Sequence, residues 1–169
     1  MVRCTELIPC PCCSSDLRVI GSRKRKSKVT GEETRILIIR RLRCKDCRKI
    51  HHELPDCLVP YKRYASVCIE QVLTEVESPS DLAADDVTLY RLKKWFHGIL
   101  PYLIGCLRSI VIRLGQDPVK EPSVPSQSVH QRIGLYVGSK PGWLARIVRP
   151  IVNANLWVHT RSAFLSANT

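Results

Sequence analysis

Aromatic residues are scarce in this chain: two Phe, five Tyr and three Trp make up 6% of 169 residues. Any core must therefore rest mainly on Leu, Ile and Val. Long hydrophobic runs are missing as well. The longest, Ile99 to Leu107, ends at Arg108 and falls short of the roughly 20 residues that cross a bilayer. No apolar leader is seen either: Met1-Val2-Arg3-Cys4 runs straight into a cysteine cluster. These absences argue against a membrane protein and against an exported disulfide framework. They lead to the expectation of a cytoplasmic protein in a reducing compartment.

Acidic residues are few, 15 against 27 Lys and Arg, so the formal net charge is +12. The excess is local. Residues 18–49 carry 13 basic and 3 acidic residues, leaving 14 basic and 12 acidic in the rest. Such a concentration creates a positive field that favours polyanions. Hydrophobic content of 44% with 25% charged residues is the balance of a folded chain.

Cysteine, by contrast, is abundant, with nine residues. Cys10-Pro11-Cys12-Cys13 is one CxxC pair and Cys44-Lys45-Asp46-Cys47 another. Two-residue spacing lets both sulfurs of one turn reach the same ion, and tetrahedral zinc accepts four thiolates. Cys10, Cys13, Cys44 and Cys47 are thus the candidate ligands of a structural Zn2+. Cys12 could replace Cys10 or Cys13, and Cys4 is a weaker substitute. Cys57, Cys68 and Cys106 stand alone and are expected in a core. His51-His52 follows the second knuckle, where a surface or backbone-contact role is expected.

The pattern predicts an α+β chain. Residues 1–60 read as a zinc ribbon, with strands at Leu17–Ile20 and Thr34–Arg43 and a hairpin tip near Gly31. Ile36, Ile38 and Leu42 share one strand face with Arg40, while Leu37 and Ile39 share the other with Arg41 and Arg43. Residues 61–114 read as a helix-turn-helix-like bundle with helices at 64–77, 86–97 and 101–114. Ser78-Pro79-Ser80 ends the first, Asp85 caps the second, and Pro101 starts a third that stops at Gly115. Residues 115–140 read as a linker, with Pro118, Pro122 and Pro125. Residues 141–169 read as a helical tail that Pro150 should kink.

Arg23, Lys24, Arg25, Lys26 and Lys28 would sit on the hairpin, with Arg40, Arg41 and Arg43 on the returning strand. Lys62 and Arg63 extend this basic surface, and Arg91 and Lys94 would project from the second helix as groove-facing candidates. Such cations neutralise phosphates and release counterions, which gives affinity without sequence choice. The expected partner is DNA, double-stranded. A protein-interaction module using the apolar helices is the alternative, and a metal-dependent nuclease using His51, His52 and nearby acids a further one. No acidic triad, Ser/His/Asp set or phosphate loop is visible, so neither an enzyme activity nor a small-molecule substrate is expected.

The stretches CPCCSSDLRVIGSRKRK and LIIRRLRCKDCRKIHHELPDCLVPYKRY resemble an uncharacterised family of bacterial zinc-ribbon proteins. That family in turn looks like the N-terminal DNA-binding region of insertion-sequence transposases. There a CxxC ribbon precedes an LPxxLxPYKRY-like segment, here Leu54 to Tyr64, and a helix-turn-helix. TLYRLKKWFHGILPYLIGCLRSI also fits, and WVHTRSAFLS more loosely. The resemblance implies metal positions at Cys10, Cys13, Cys44 and Cys47 and DNA recognition around Arg91 to Lys94. The chain is too short to add the large catalytic domain of a transposase, so an accessory factor, a regulator or a remnant is implied.

Overall fold

The structure, a computed structural model, describes residues 9–29, 33–74, 84–118 and 129–157. The expected hairpin tip at Gly31, the Ser78-Pro79-Ser80 stop, Cys4, two of the linker prolines and most of the WVHTRSAFLS stretch lie outside them.

Three strands form one antiparallel sheet in the order β1-β2-β3, with β1 at Leu17–Lys28, β2 at Thr34–Cys44 and β3 at Ile50–His52. β1 is far longer than the four residues its apolar start predicted. Its basic half has no hydrophobic pattern, yet it pairs with β2 in register from Arg23↔Ile39 to Lys28↔Thr34. Backbone pairing needs no particular side chain, so the partner strand carries the cationic run into the sheet. A bulge between Val19 and Gly21, where Gly21 has φ 151°, shifts the register once. Neither face of β2 is uniformly buried: Ile39 is buried on one face and Leu42 on the other, where Ile36 and Ile38 are exposed.

The basic end of the hairpin is docked onto the segment that leads to the helices. Lys28 N–H donates to the Arg63 carbonyl at 2.8 Å, and Ala65 N–H donates to the Lys28 carbonyl at 2.9 Å. Leu58 and Val59 are buried just ahead of this junction. It opens directly into α1, Ser66–Thr74, whose Cys68, Ile69 and Val72 face inward. The expected end of this helix at 75–77 lies outside the described residues.

The two helices expected at 86–97 and 101–114 are one. α2 runs unbroken over Asp86–Arg113, with Pro101 inside it. An interior proline loses one hydrogen bond and costs about 3 kcal/mol. The apolar stripe is continuous across it: Leu92, Phe96, Ile99, Leu100, Leu103, Ile104 and Leu107 are all buried. At roughly 1.5–3 kcal/mol for each fully buried side chain, the stripe outweighs the proline. The turn that a helix-turn-helix needed near 98–100 is therefore helical. Both expected ends hold. Asp85 Oδ1 accepts from Thr88 N–H, and Gly115, with φ 70°, follows the last turn in a left-handed conformation.

α2 is also longer than the apolar run Ile99 to Leu107 suggested. Among the described residues it is the helix long and apolar enough to cross a membrane, with a mean hydropathy of 1.4 over its best 18 residues. Its buried face belongs to the core that it shares with α1 and α4.

A helix, α3 at Val129–Val137, lies in the stretch expected as linker, and its Ile133 is buried. α4, Trp143–Asn153, passes through Pro150 without stopping and buries the predicted Leu144, Ile147, Val148 and Ile151. Gly142, with φ 85°, offers no side chain to cap α4. Glu70 of α1 supplies the cap instead. Its carboxylate accepts from Gly142 N–H and Leu144 N–H, both at 2.8 Å, and is itself buried. An anion placed on two unpaired amides at a helix N-terminus ties the first and last helices together. Phe96 and Trp143 meet edge to face at 5.5 Å between them.

Candidate functional site

Each CxxC pair forms a tight turn, and the two turns are built alike. Ser14 N–H returns to the Cys10 carbonyl at 2.8 Å, and the N–H groups of Cys12 and Cys13 face the Cys10 sulfur. In the second turn the N–H groups of Asp46 and Cys47 face the Cys44 sulfur in the same way. Each turn closes on a residue in the left-handed region, Ser14 at φ 60° and Arg48 at φ 61°, placed directly after its second cysteine. Left-handed backbone costs a non-glycine residue roughly 1–2 kcal/mol, and both turns carry it at the same place. Composition gave no sign of this, because glycine occupies neither position. The only available signal was the offset from the CxxC pair.

The turns face each other across the end of the sheet. Cys44 closes β2, and Cys44 N–H donates to the Lys49 carbonyl at 3.0 Å, while Lys45 N–H reaches the Asp16 carbonyl of the other turn at 3.1 Å. The sulfurs of Cys10, Cys13, Cys44 and Cys47 all lie within 4.8 Å of one another. Cys10 and Cys47 sulfurs are 3.6 Å apart and those of Cys13 and Cys44 are 3.5 Å apart. A tetrahedron with metal–sulfur bonds of ~2.3 Å has edges of about 3.8 Å. The same separations are far beyond a disulfide bond, and all four cysteines are free thiols. Cys10 and Cys44 are buried, whereas Cys13 is exposed and Cys47 half-buried.

This crowding splits the thiols. Burial pushes Cys10 well above the ordinary thiol range. Burial also acts against the charged form of Cys44, but the N–H groups of Cys47 and Asp46 and the neighbouring thiols outweigh it and pull Cys44 down. One sulfur ionises readily and another resists, since packed thiolates repel one another. A cation at their centre removes that conflict, so the donor set fits a metal ion.

Cys12 lies apart from the four-sulfur group. It clusters instead with Cys10 and His51, and Lys49 Nζ approaches its sulfur at 3.8 Å. His51, expected in a surface or backbone-contact role, is only 4% exposed, and its Nε2 sits 3.4 Å from the Cys10 sulfur. The cause is register. β3 pairs His51 with Leu42 on the face that ends at Cys44, whereas His52 pairs with Arg41 on the other. Burial, reinforced by the charge of Lys49, lowers the His51 pKa and keeps the ring neutral. Of the three isolated cysteines expected in a core, Cys68 and Cys106 are buried, but Cys57 is exposed in the loop ahead of α1.

The cations of the sequence pattern divide into those held by partners and those that are exposed. Arg40 forms a two-pronged pair with Glu53, at 2.5 and 2.6 Å, which clamps β2 to the chain leaving β3. Arg25 donates to the carbonyls of Val59 and Lys62, at 2.9 and 2.8 Å, and so pins the loop to the sheet. Lys62 Nζ lies 3.8 Å from the centre of the Trp95 ring, and burial lowers its pKa to about 8. Lys28 lies over Tyr64. Arg41 is half-buried. Arg23, Lys24, Lys26, Arg43 and Arg63 are exposed, as are Arg91 and Lys94 on α2. Lys94 stands near Tyr90.

β1 and the Leu54–Arg63 stretch enclose a groove of about 330 Å³. Arg23, Lys24, Arg25, Lys26, Lys62 and Arg63 line it together, with Ile39, His52, Leu54, Pro60 and Tyr61. No carboxylate is among these residues. Arg43, Arg91 and Lys94 do not line it. Tyr61, which the sequence did not single out, is 44% exposed at the groove with a left-handed φ of 63°.

Fold and site together define a mixed α+β chain. An antiparallel sheet carries a four-thiol cluster able to hold a metal ion, and helices follow it. The arrangement is compatible with a zinc ribbon. A family model described as a domain of unknown function (DUF6431) matches residues 10–92, from the first knuckle to the early part of α2. Comparison with curated proteins and with solved structures yields no match.

Proposed function

We propose that this chain is a non-enzymatic, cytoplasmic DNA-binding protein whose basic hairpin is held in shape by a structural zinc ion. The observation that carries the reading is the docked cationic hairpin. Arg23, Lys24, Lys26 and Arg63 are exposed, and among the described residues no ion pair engages them. Cations left without carboxylate partners on one surface favour a polyanion. The exposure of these side chains leaves them open to a phosphate backbone.

Zinc suits the four sulfurs by ligand type and geometry. Four thiolates leave no open position for a substrate, so the ion's role is to hold the hairpin. His51 is turned to the Cys10 sulfur inside the protein, which argues against its use as a nuclease base. With the expected turn replaced by continuous helix, Arg91 and Lys94 supply phosphate contacts from the side of α2 and the hairpin supplies the principal surface. The resemblance of the knuckles and the PYKRY segment to the DNA-binding region of insertion-sequence transposases supports a transposase-like accessory factor, regulator or remnant.

The test is duplex binding by the zinc-loaded protein across a salt series. Arg23, Lys24, Lys26 and Arg63, with Arg91 and Lys94, are six phosphate-neutralising cations and give a slope of about −5.4 in log affinity against log salt. A flat dependence, or no binding at low salt, refutes the reading.

A further inference from the structure

We propose that the groove between β1 and the Leu54–Arg63 stretch receives one unpaired nucleotide of a DNA strand, its base stacked on Tyr61 and its phosphates held by Arg23, Lys24 and Arg63. The inference deepens the DNA-binding reading above and rests on it. Three features of the groove lead there. Its volume, about 330 Å³, lies at the small end of the range that encloses a single small ligand. Its lining combines two chemistries: Ile39, Leu54, Pro60 and Tyr61 stand beside His52 and the six cations, with no carboxylate present. A plain phosphate site would have no use for that apolar portion. A flat ring carrying a phosphate uses both parts.

The third feature is Tyr61 itself. A large side chain in the left-handed region carries backbone strain of roughly 1–3 kcal/mol, which persists only where the surroundings hold it. Here Pro60 is buried on one side, and on the other Arg25 grips the Lys62 carbonyl. The strained turn leaves Tyr61 44% exposed at the groove, where burial raises the pKa of its hydroxyl against the opposing charges of Arg23 and Arg25. Bases within a duplex already have both faces covered by their neighbours. Away from the ends of a duplex, an unpaired base is what offers a free face to the ring, and stacking of this kind tolerates any base.

The experiment measures anisotropy of labelled oligo-dT and of a duplex of equal length, with the full zinc-loaded chain and its Tyr61→Ala, Tyr61→Phe, Tyr61→Leu and Arg63→Gln variants. Zinc content and melting temperature are recorded for each. Tyr61→Ala should weaken oligo-dT binding about tenfold while changing duplex affinity less than about twofold. Tyr61→Phe, which keeps the ring, should bind oligo-dT as the parent does. Arg63→Gln should weaken both and flatten the salt dependence by about one phosphate. Parent-like oligo-dT affinity in Tyr61→Ala overturns the proposal, as does an equal loss for both DNAs. If Tyr61→Ala loses its zinc or its melting transition, Tyr61→Phe and Tyr61→Leu decide, and equal oligo-dT affinity in those two overturns it. Duplex binding without oligo-dT binding overturns the groove proposal alone. Binding of neither DNA overturns the DNA-binding reading as well.

Discussion

Removing the metal should open the hairpin and leave the helices standing. In the described part of the sheet the buried aliphatic side chains are Ile39 and Leu42. At roughly 1.5–3 kcal/mol each they supply about 3–6 kcal/mol. A structural zinc site contributes about 10–16 kcal/mol in isolated peptides near neutral pH. A zinc ion on these four thiols would therefore be the larger part of what holds β1 to β2 near the knuckles. The helical core is built differently, with Phe96, Leu103, Leu144, Ile147 and Ile151 fully buried and no thiol cluster among them. Two perturbations remove the metal, a strong chelator and Cys44→Ser. Zinc per chain, far-ultraviolet circular dichroism and limited trypsin digestion report the outcome. Trypsin is informative because residues 18–49 carry 13 Lys and Arg. Zinc should be lost, trypsin should cut within β1 and β2, and the helical signal should persist. Cys12→Ser is the internal control and should keep one zinc, since the Cys12 sulfur lies outside the four-sulfur group. Full zinc in Cys44→Ser, or a hairpin that resists trypsin without metal, would refute the reasoning. Zinc loss in Cys12→Ser would reassign the ligand.

Two further predictions concern the helical half. Glu70→Ala removes two charge-assisted hydrogen bonds and leaves the Gly142 and Leu144 amides without their acceptor. The cost should be about 3 kcal/mol or more, a fall in melting temperature of roughly 6–12 °C for a chain of this size. Glu70→Gln should lie between, and a drop of less than about 2 °C in Glu70→Ala would show that the cap carries no weight. Lys62 gives a pH signature. Burial lowers its folded pKa to about 8 from an ordinary 10.5. Between those values the unfolded chain binds more protons than the folded one, so stability should rise with pH across that window. Chemical denaturation at pH 7.5, 9 and 10 should show the rise, and Lys62→Met should reduce it. Equal slopes in parent and variant would exclude the mechanism.

How legible each part was follows from what positions it. The knuckles were readable because two-residue spacing is a local constraint that one turn satisfies. The inner faces of α1 and α4 were readable because period 3.6 sorts their side chains, as Ile69, Leu144, Ile147 and Ile151 show. Pro101 misled because a local breaking rule was weighed without the neighbours of the stripe on either side. α3 was invisible beside the prolines and polar residues of its surroundings.

Spacing and periodicity alone thus determined the two CxxC turns, the mixed α+β class and most buried faces, since each depends on residues a few positions apart. Tertiary structure decided the rest. Antiparallel pairing extended β1 through a run of cations that has no strand pattern of its own, and so aligned them along an edge. Register sent His51 to the Cys10 sulfur and His52 to the opposite face, one residue apart in sequence. A buried carboxylate on α1 capped a helix 72 residues away. The Arg25 contacts turned a basic stretch and a PYKRY segment into the two walls of one groove. All of these depend on distances between remote residues, and no local pattern encodes those distances.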